Sequence, residues 1–185
     1  MTDALETERL LLRPLALEDA EQVQPLFAQW EILKYLNAAV PWPYPMDGAF
    51  IYYRDVALPS IVRGEEWHWT LRLKESPAQI IGAISLNKGE KINRGFWLGE
   101  PWQGHGLMTE AVRAVNDYWF DVLGFSVLRA PKAVSNTASR RVSEKTAMRL
   151  VATTDGDYVS GRLETEIWEL TVEDWRKYKE EIAAK

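Results

Sequence analysis

The stretch from Phe96 to Ala111, FWLGEPWQGHGLMTEA, restricts the fold more than any other part of the chain. Arg94–Leu98 reads as a strand, Gly99-Glu100-Pro101 ends it, and Gln103-Gly104-His105-Gly106 forms a loop whose glycines permit left-handed backbone. A helix follows from Leu107, with Val112, Val115, Trp119 and Val122 on one face and Gly124 as its stop. Strand, glycine loop and helix start thus come in direct succession. Such a loop turns backbone N–H groups inward, and with the positive helix end it makes a cradle for anionic oxygens. Two nucleotide readings fail: no GK[ST] follows, and no third glycine or acidic residue stands at dinucleotide spacing.

The flanking sequence predicts alternating strands and helices. Residues 8–15 read as a strand, and a helix is expected from Leu17 to about Tyr35, opened by Glu18 and Asp19 where the helix dipole favours acids. Pro41, Pro43 and Pro45 make Asn37–Asp47 a loop, and a second helix is expected over about Met46–Val62. Glu66–Lys74 and Gln79–Leu86 predict an antiparallel hairpin about Glu75-Ser76-Pro77. Beyond the central helix come a strand at Ser126–Ala130, a helix near Ser139–Leu150, a hairpin of Gly156–Leu163 with Glu164–Thr171, and a helical tail Val172–Lys185. No repeat or linker divides the chain, so one domain over 1–185 is expected.

Composition bounds the functions open to it. A formal net charge of -5 argues against phosphate-backbone binding, so no nucleic-acid partner is expected. The chain has no cysteine, which excludes an acyl-cysteine intermediate and thiolate metal sites; two distant histidines, His68 and His105, suggest no metal. The acidic opening lacks the apolar core of a signal or spanning segment, and a cytoplasmic protein without membrane partners is expected.

PWQGHGLMTEA resembles the acetyl-CoA motif of the GNAT superfamily, in its ribosomal-protein N-terminal acetyltransferase (Rim-type) branch. TERLLLRPLALEDAEQV is similar to that branch's opening strand and helix, and SNTASRRVSEKTAMRLV to its N-x-x-S segment with the following E-K helix. Pro101 stands where the superfamily prefers Gln or Arg, and Ala147-Met148 where Gly-Phe is usual. The resemblance implies an α/β (α+β) GNAT fold: a single mixed, mostly antiparallel central sheet flanked by helices, with splayed strands holding acetyl-CoA. It implies that Leu98 pairs with the pantetheine arm and that the backbone of Gln103, Gly104, His105, Gly106, Leu107, Met108 and Thr109 holds the pyrophosphate. Asn136 and Ser139 match the N-x-x-S positions, which the family uses near pantetheine and the sulfur.

The implied chemistry is acetyl transfer to an amine, which must be neutral to attack. An α-amine near pKa 7.8 costs about 1.1 kcal/mol to neutralise at pH 7, and a lysine near 10.4 about 4.6 kcal/mol. Glu100, at the strand–loop junction, is the first candidate base, with Glu90 and Glu164 as others; Ser139 is the candidate acid toward the departing sulfur. Trp42, Tyr44 and Phe50 are candidate acceptor-site residues, with Asp47 attracting a cation. The expected partner is an amine-bearing peptide or small molecule. A homodimer is compatible with the exposed aromatics and terminal strands. The competing function is an acetyl-CoA-binding module without turnover.

Overall fold

A computed structural model describes residues 2–184. Its elements run β1 (Leu5–Glu6), β2 (Leu10–Pro14), α1 (Ala20–Phe27), α2 (Trp30–Leu33), α3 (Gly48–Tyr52), α4 (Leu58–Val62), β3 (Glu66–Leu73), β4 (Gly82–Asn87), β5 (Arg94–Leu98), α5 (Leu107–Asp117), β6 (Val127–Ala133), α6 (Thr137–Glu144), β7 (Arg149–Tyr158), β8 (Gly161–Thr171) and α7 (Val172–Ala183). Strands β1 to β5 form one antiparallel sheet in chain order, and β6-β8-β7 form a second.

Side-chain alternation decides what each face meets. Along β3, Trp67, Trp69 and Leu71 point to the face shared with Leu10, Leu12, Ile84, Leu86 and Leu98, which α5 covers with Leu107, Ala111, Val112 and Val115. The opposite face packs Leu15, Val23, Ala49, Tyr53, Ala57 and Ile80, so α1 and α3 form a second layer. Asp19 locks that layer to the sheet: its carboxylate accepts from Ala16 N (3.0 Å) and from Arg72 Nη2 (2.7 Å), with both side chains of the ion pair buried. Gln24 ties α1 to α3, donating to Pro45 O (2.7 Å) and accepting from Ala49 N (2.9 Å).

Several boundaries differ from the sequence expectation. The helix expected from Leu17 to Tyr35 stops at Phe27: Pro25 inside it already forfeits one upstream bond, Ala28 leaves the helical region (φ -72, ψ 41) and Gln29 is extended (φ -114, ψ 135), before α2 restarts at Trp30. The helix expected to reach Leu150 ends at Glu144, and β7 begins at Arg149. The intervening Ala147 sits at φ 61, where the family's usual glycine is free of strain and alanine costs about 1–2 kcal/mol. The terminal hairpin turns at Val159-Ser160 rather than at residues 163–164; Gly156 lies within β7, where a Cβ would come 2.5 Å from Thr165 Oγ1. That glycine serves close strand packing, not a turn. The tail helix is α7, and Lys185 lies outside the described residues. Among the described residues no helix is long and apolar enough to cross a membrane.

Candidate active-site cleft

β5 and β6 start side by side and then part. Asn93 N donates to Arg129 O (2.8 Å), Arg129 N donates to Asn93 Oδ1 (2.7 Å), and farther along Lys132 Nζ lies 5.4 Å from the Phe96 ring centre. Residue numbers rise together, so the two strands run parallel, yet no ladder joins them. Pro131 supplies a local cause. Two residues beyond Arg129, it occupies the next position facing β5, and it has no N–H to extend the pairing.

The parting leaves backbone groups on β5 without a strand partner. Gly99 N donates to Ile81 O (2.8 Å) around the Gly82–Leu98 pair, which makes that pair the non-hydrogen-bonded kind. The N–H and C=O of Leu98, and by alternation those of Phe96, therefore face the opening. Gln103 Nε2 takes the Leu98 carbonyl at 2.7 Å, leaving the Leu98 N–H and both Phe96 groups turned to the cleft.

The cleft occupies about 1530 Å³. It brings together Leu98, Glu100, Gln103, Gly104, Gly106, Leu107, Met108, Thr109, Asn136, Ser139 and Tyr44 along its walls. His105 and Trp42 are not among the lining residues; the exposed Trp42 packs instead on the exposed Trp30 (5.1 Å between ring centres). Gly104 and Gly106 have φ of 79 and 78, the left-handed conformation the loop requires. Gln103 N is already committed to Glu100 O (3.1 Å), so Gln103 contributes its side chain rather than a free N–H. No backbone carbonyl among the described residues takes the N–H groups of 104–106, and the first turn of α5 has none to offer its own.

The loop is braced from outside by residues the sequence reading passed over. Glu110 accepts from Thr7 Oγ1 (2.5 Å), Arg9 N (2.8 Å) and Arg9 Nε (2.7 Å), while Arg9 Nη1 donates to His105 O (3.0 Å). Burial opposes ionisation of Glu110, but these hydrogen bonds overcome it and hold its carboxyl below the usual range. Arg9 thereby sets a cation beside the anion cradle.

Asn136 is the N-cap of α6, its Oδ1 accepting from Ser139 N at 3.2 Å, and both residues face the cleft. Glu100 is exposed at the rim. On the α3 side, His68 is buried and its Nε2 stands 2.6 Å from Glu66 Oε2, whose partner oxygen accepts from Asn87 Nδ2 (2.8 Å). The hydrogen bond to His68 holds the Glu66 carboxyl below its usual range against the penalty of burial. His68 aligns across the sheet with Ser85 and, beyond it, Gly95, all on the cleft wall. Sequence reasoning took His68 for a strand residue; the alternation Glu66, His68, Thr70 was the signal that it shares a face with a carboxylate.

Residues 9–149 match the Acetyltransferase (GNAT) domain family. The chain belongs to that family. A GNAT assignment fits the parted strands, the glycine loop and the antiparallel sheet flanked by helices, and it makes the protein an acyltransferase. Among curated relatives, the uncharacterized N-acetyltransferase p20 of Bacillus licheniformis is 29% identical over 142 residues, covering 74% of this chain and 77% of p20. Two solved structures share the fold. RimL, the ribosomal L7/L12 alpha-N-protein acetyltransferase in complex with coenzyme A, superposes with a TM-score of 0.78 at 16% identity, covering 93% of this chain and 99% of that one. The ribosomal-protein-S5-alanine acetyltransferase from Vibrio fischeri gives 0.78 at 16% identity, covering 94% and 98%.

Proposed function

We propose that this GNAT protein is an acetyl-CoA-dependent N-acetyltransferase, acting as one domain over 1–185, that transfers the acetyl group directly to a primary amine. The observation that carries the reading is the continuity of the parted β5 edge with the glycine loop. Free N–H groups at residues 104–109 suit the pyrophosphate, and the Leu98 N–H with the open Phe96 groups suits the amide-rich pantetheine arm. Family membership and the coenzyme A complex of RimL support it. The acceptor is an amine-bearing peptide or small molecule. The activities named for RimL and the Vibrio fischeri protein favour testing protein N-termini first.

The acceptor enters over Tyr44 on the α1–α3 side, and Glu100 at the rim is the proposed base, with Ser139 as proton donor to the departing sulfur. His68 with Glu66 is a second base candidate, favoured by its burial beside Ser85. A base acting on an α-amine has little to supply, so Glu100→Gln is expected to lower kcat by only about 10-fold. Ser139→Ala is expected to do the same, with acetyl-CoA affinity unchanged in both. Steady-state rates on the identified amine, with calorimetric Kd values, check this. Unchanged kcat in Glu100→Gln with loss in His68→Gln would move the base to the histidine pair.

A further inference from the structure

Beneath the point where β5 and β6 part lies a buried polar group to which the proposed reaction assigns no task. Lys132 and Arg94 are 6% and 4% exposed, and both border the cleft. Arg94 donates Nη1 to Asn116 Oδ1 (2.6 Å) and Nη2 to Met148 Sδ (3.1 Å), while its Nε, Asn116 Nδ2 and Ser143 Oγ have no partner. Lys132 Nζ has neither hydrogen bond nor ion pair among the described residues, only the Phe96 ring beside it. Its cross-strand neighbour Glu166 spends a carboxylate oxygen on Arg140 Nε (2.7 Å) and Trp168 Nε1 (2.9 Å). The other charged groups on the adjoining walls include the cations Arg141 of α6, Lys145 just past its end and Arg129 of β6, and the carboxylates Glu90, before β5, and Asp155 and Asp157 of β7.

A buried cation without a counter-charge destabilises the fold by several kcal/mol, and chains retain one where something negative arrives. Phosphates are served elsewhere, on the loop beyond Leu98. Lys132 instead stands beside Phe96, farther down the open edge, where the thiol end of an extended cosubstrate comes. The anion that reaction creates there is the thiolate.

We infer that Lys132 is the group that receives the departing coenzyme A sulfur, its ammonium charge stabilising the thiolate as an ion pair. The inference rests on the acetyl-CoA reading above. The acceptor nitrogen forms its bond to the thioester carbon, the C–S bond breaks with its electron pair moving to sulfur, and the thiolate pairs with the Lys132 ammonium. The proton lost by the acylated nitrogen goes to the base proposed above. The Ser139 hydroxyl donates to the same sulfur but brings no charge. Burial first, and then the charge of Arg94, pulls the Lys132 ammonium well below the ordinary lysine range, and an anion arriving beside it opposes that shift. Burial likewise pulls Arg94 down to about 9, so it stays cationic at neutral pH.

The test needs no acceptor. Calorimetry first establishes coenzyme A binding to the full chain, and the bound thiol is then titrated by ultraviolet thiolate absorbance against the complex with desulfo-coenzyme A. The bound thiol pKa is expected to lie at least about one unit below that of free coenzyme A in the same buffer. Lys132→Met is expected to abolish that depression, and Lys132→Arg to keep it. Loss of a buried amine without a hydrogen-bond partner should also raise the melting temperature of the ligand-free Lys132→Met protein. Coenzyme A that binds with an undepressed thiol in the parent protein, or a depression that survives Lys132→Met, overturns the role of Lys132 and leaves the acetyl-CoA reading standing. Absence of coenzyme A binding overturns that reading and this inference with it.

Discussion

Gly106→Val is expected to raise the Kd for acetyl-CoA by about 100-fold while leaving the sheet intact. Gly106 caps α5 at φ 78 and ψ 0, a conformation that costs an ordinary residue about 1–2 kcal/mol and a β-branched one more. Relief of that strain would swing the 104–109 N–H groups out of convergence. The Cβ itself would stand at ordinary contact distance from Arg9 Nη2, 3.6 Å, so only the γ-methyls of valine would reach toward that guanidinium. Together these amount to about 3 kcal/mol, or about two decades in affinity. Calorimetry with acetyl-CoA, beside a melting curve of the ligand-free variant, separates lost binding from lost fold. An unchanged Kd would mean that the loop is not where the cosubstrate's phosphates lie.

The largest effect on stability is expected at Asp19. Its carboxylate meets a guanidinium that is itself buried and also holds the carbonyls of Pro77 (3.3 Å) and Ala78 (3.1 Å). Asp19→Ala strands that cation in the interior and frees the Ala16 N–H, at a cost of about 3–5 kcal/mol. For a chain of this size that is about a 10 °C fall in Tm. Asp19→Ala with Arg72→Met removes both charges and is expected to recover part of the loss. A single variant within about 0.5 kcal/mol of the parent would contradict the tie between the α1 layer and the sheet.

How far the sequence revealed this can be traced residue by residue. The alternation of Trp67, Trp69 and Leu71 with polar residues, and the glycines before Leu107, are local patterns with local causes, so β3, the loop and α5 stand where expected. Gly156 has two physical uses, turn and close packing, and only the strand opposite it shows which applies. The strand ending expected at Ala130 runs on to Ala133 because Pro131 lies on an edge that needs no donor. Lys132 fell outside the strand expected to end at Ala130, although Leu128, Ala130 and Lys132 at period two put it on the inward face. Pairings such as Glu66 with His68, or Arg9 with Glu110, depend on side-chain direction and on distant segments, which spacing alone does not give.

The most direct test of the central claim is coenzyme A thiol release from acetyl-CoA by the purified protein, across peptides with free N-termini, polyamines and aminoglycosides. Release that rises with one amine class, with the acetyl group recovered on that amine, is the expected result. Tight acetyl-CoA binding with no release on any amine would contradict it and leave a binding module in place of the enzyme.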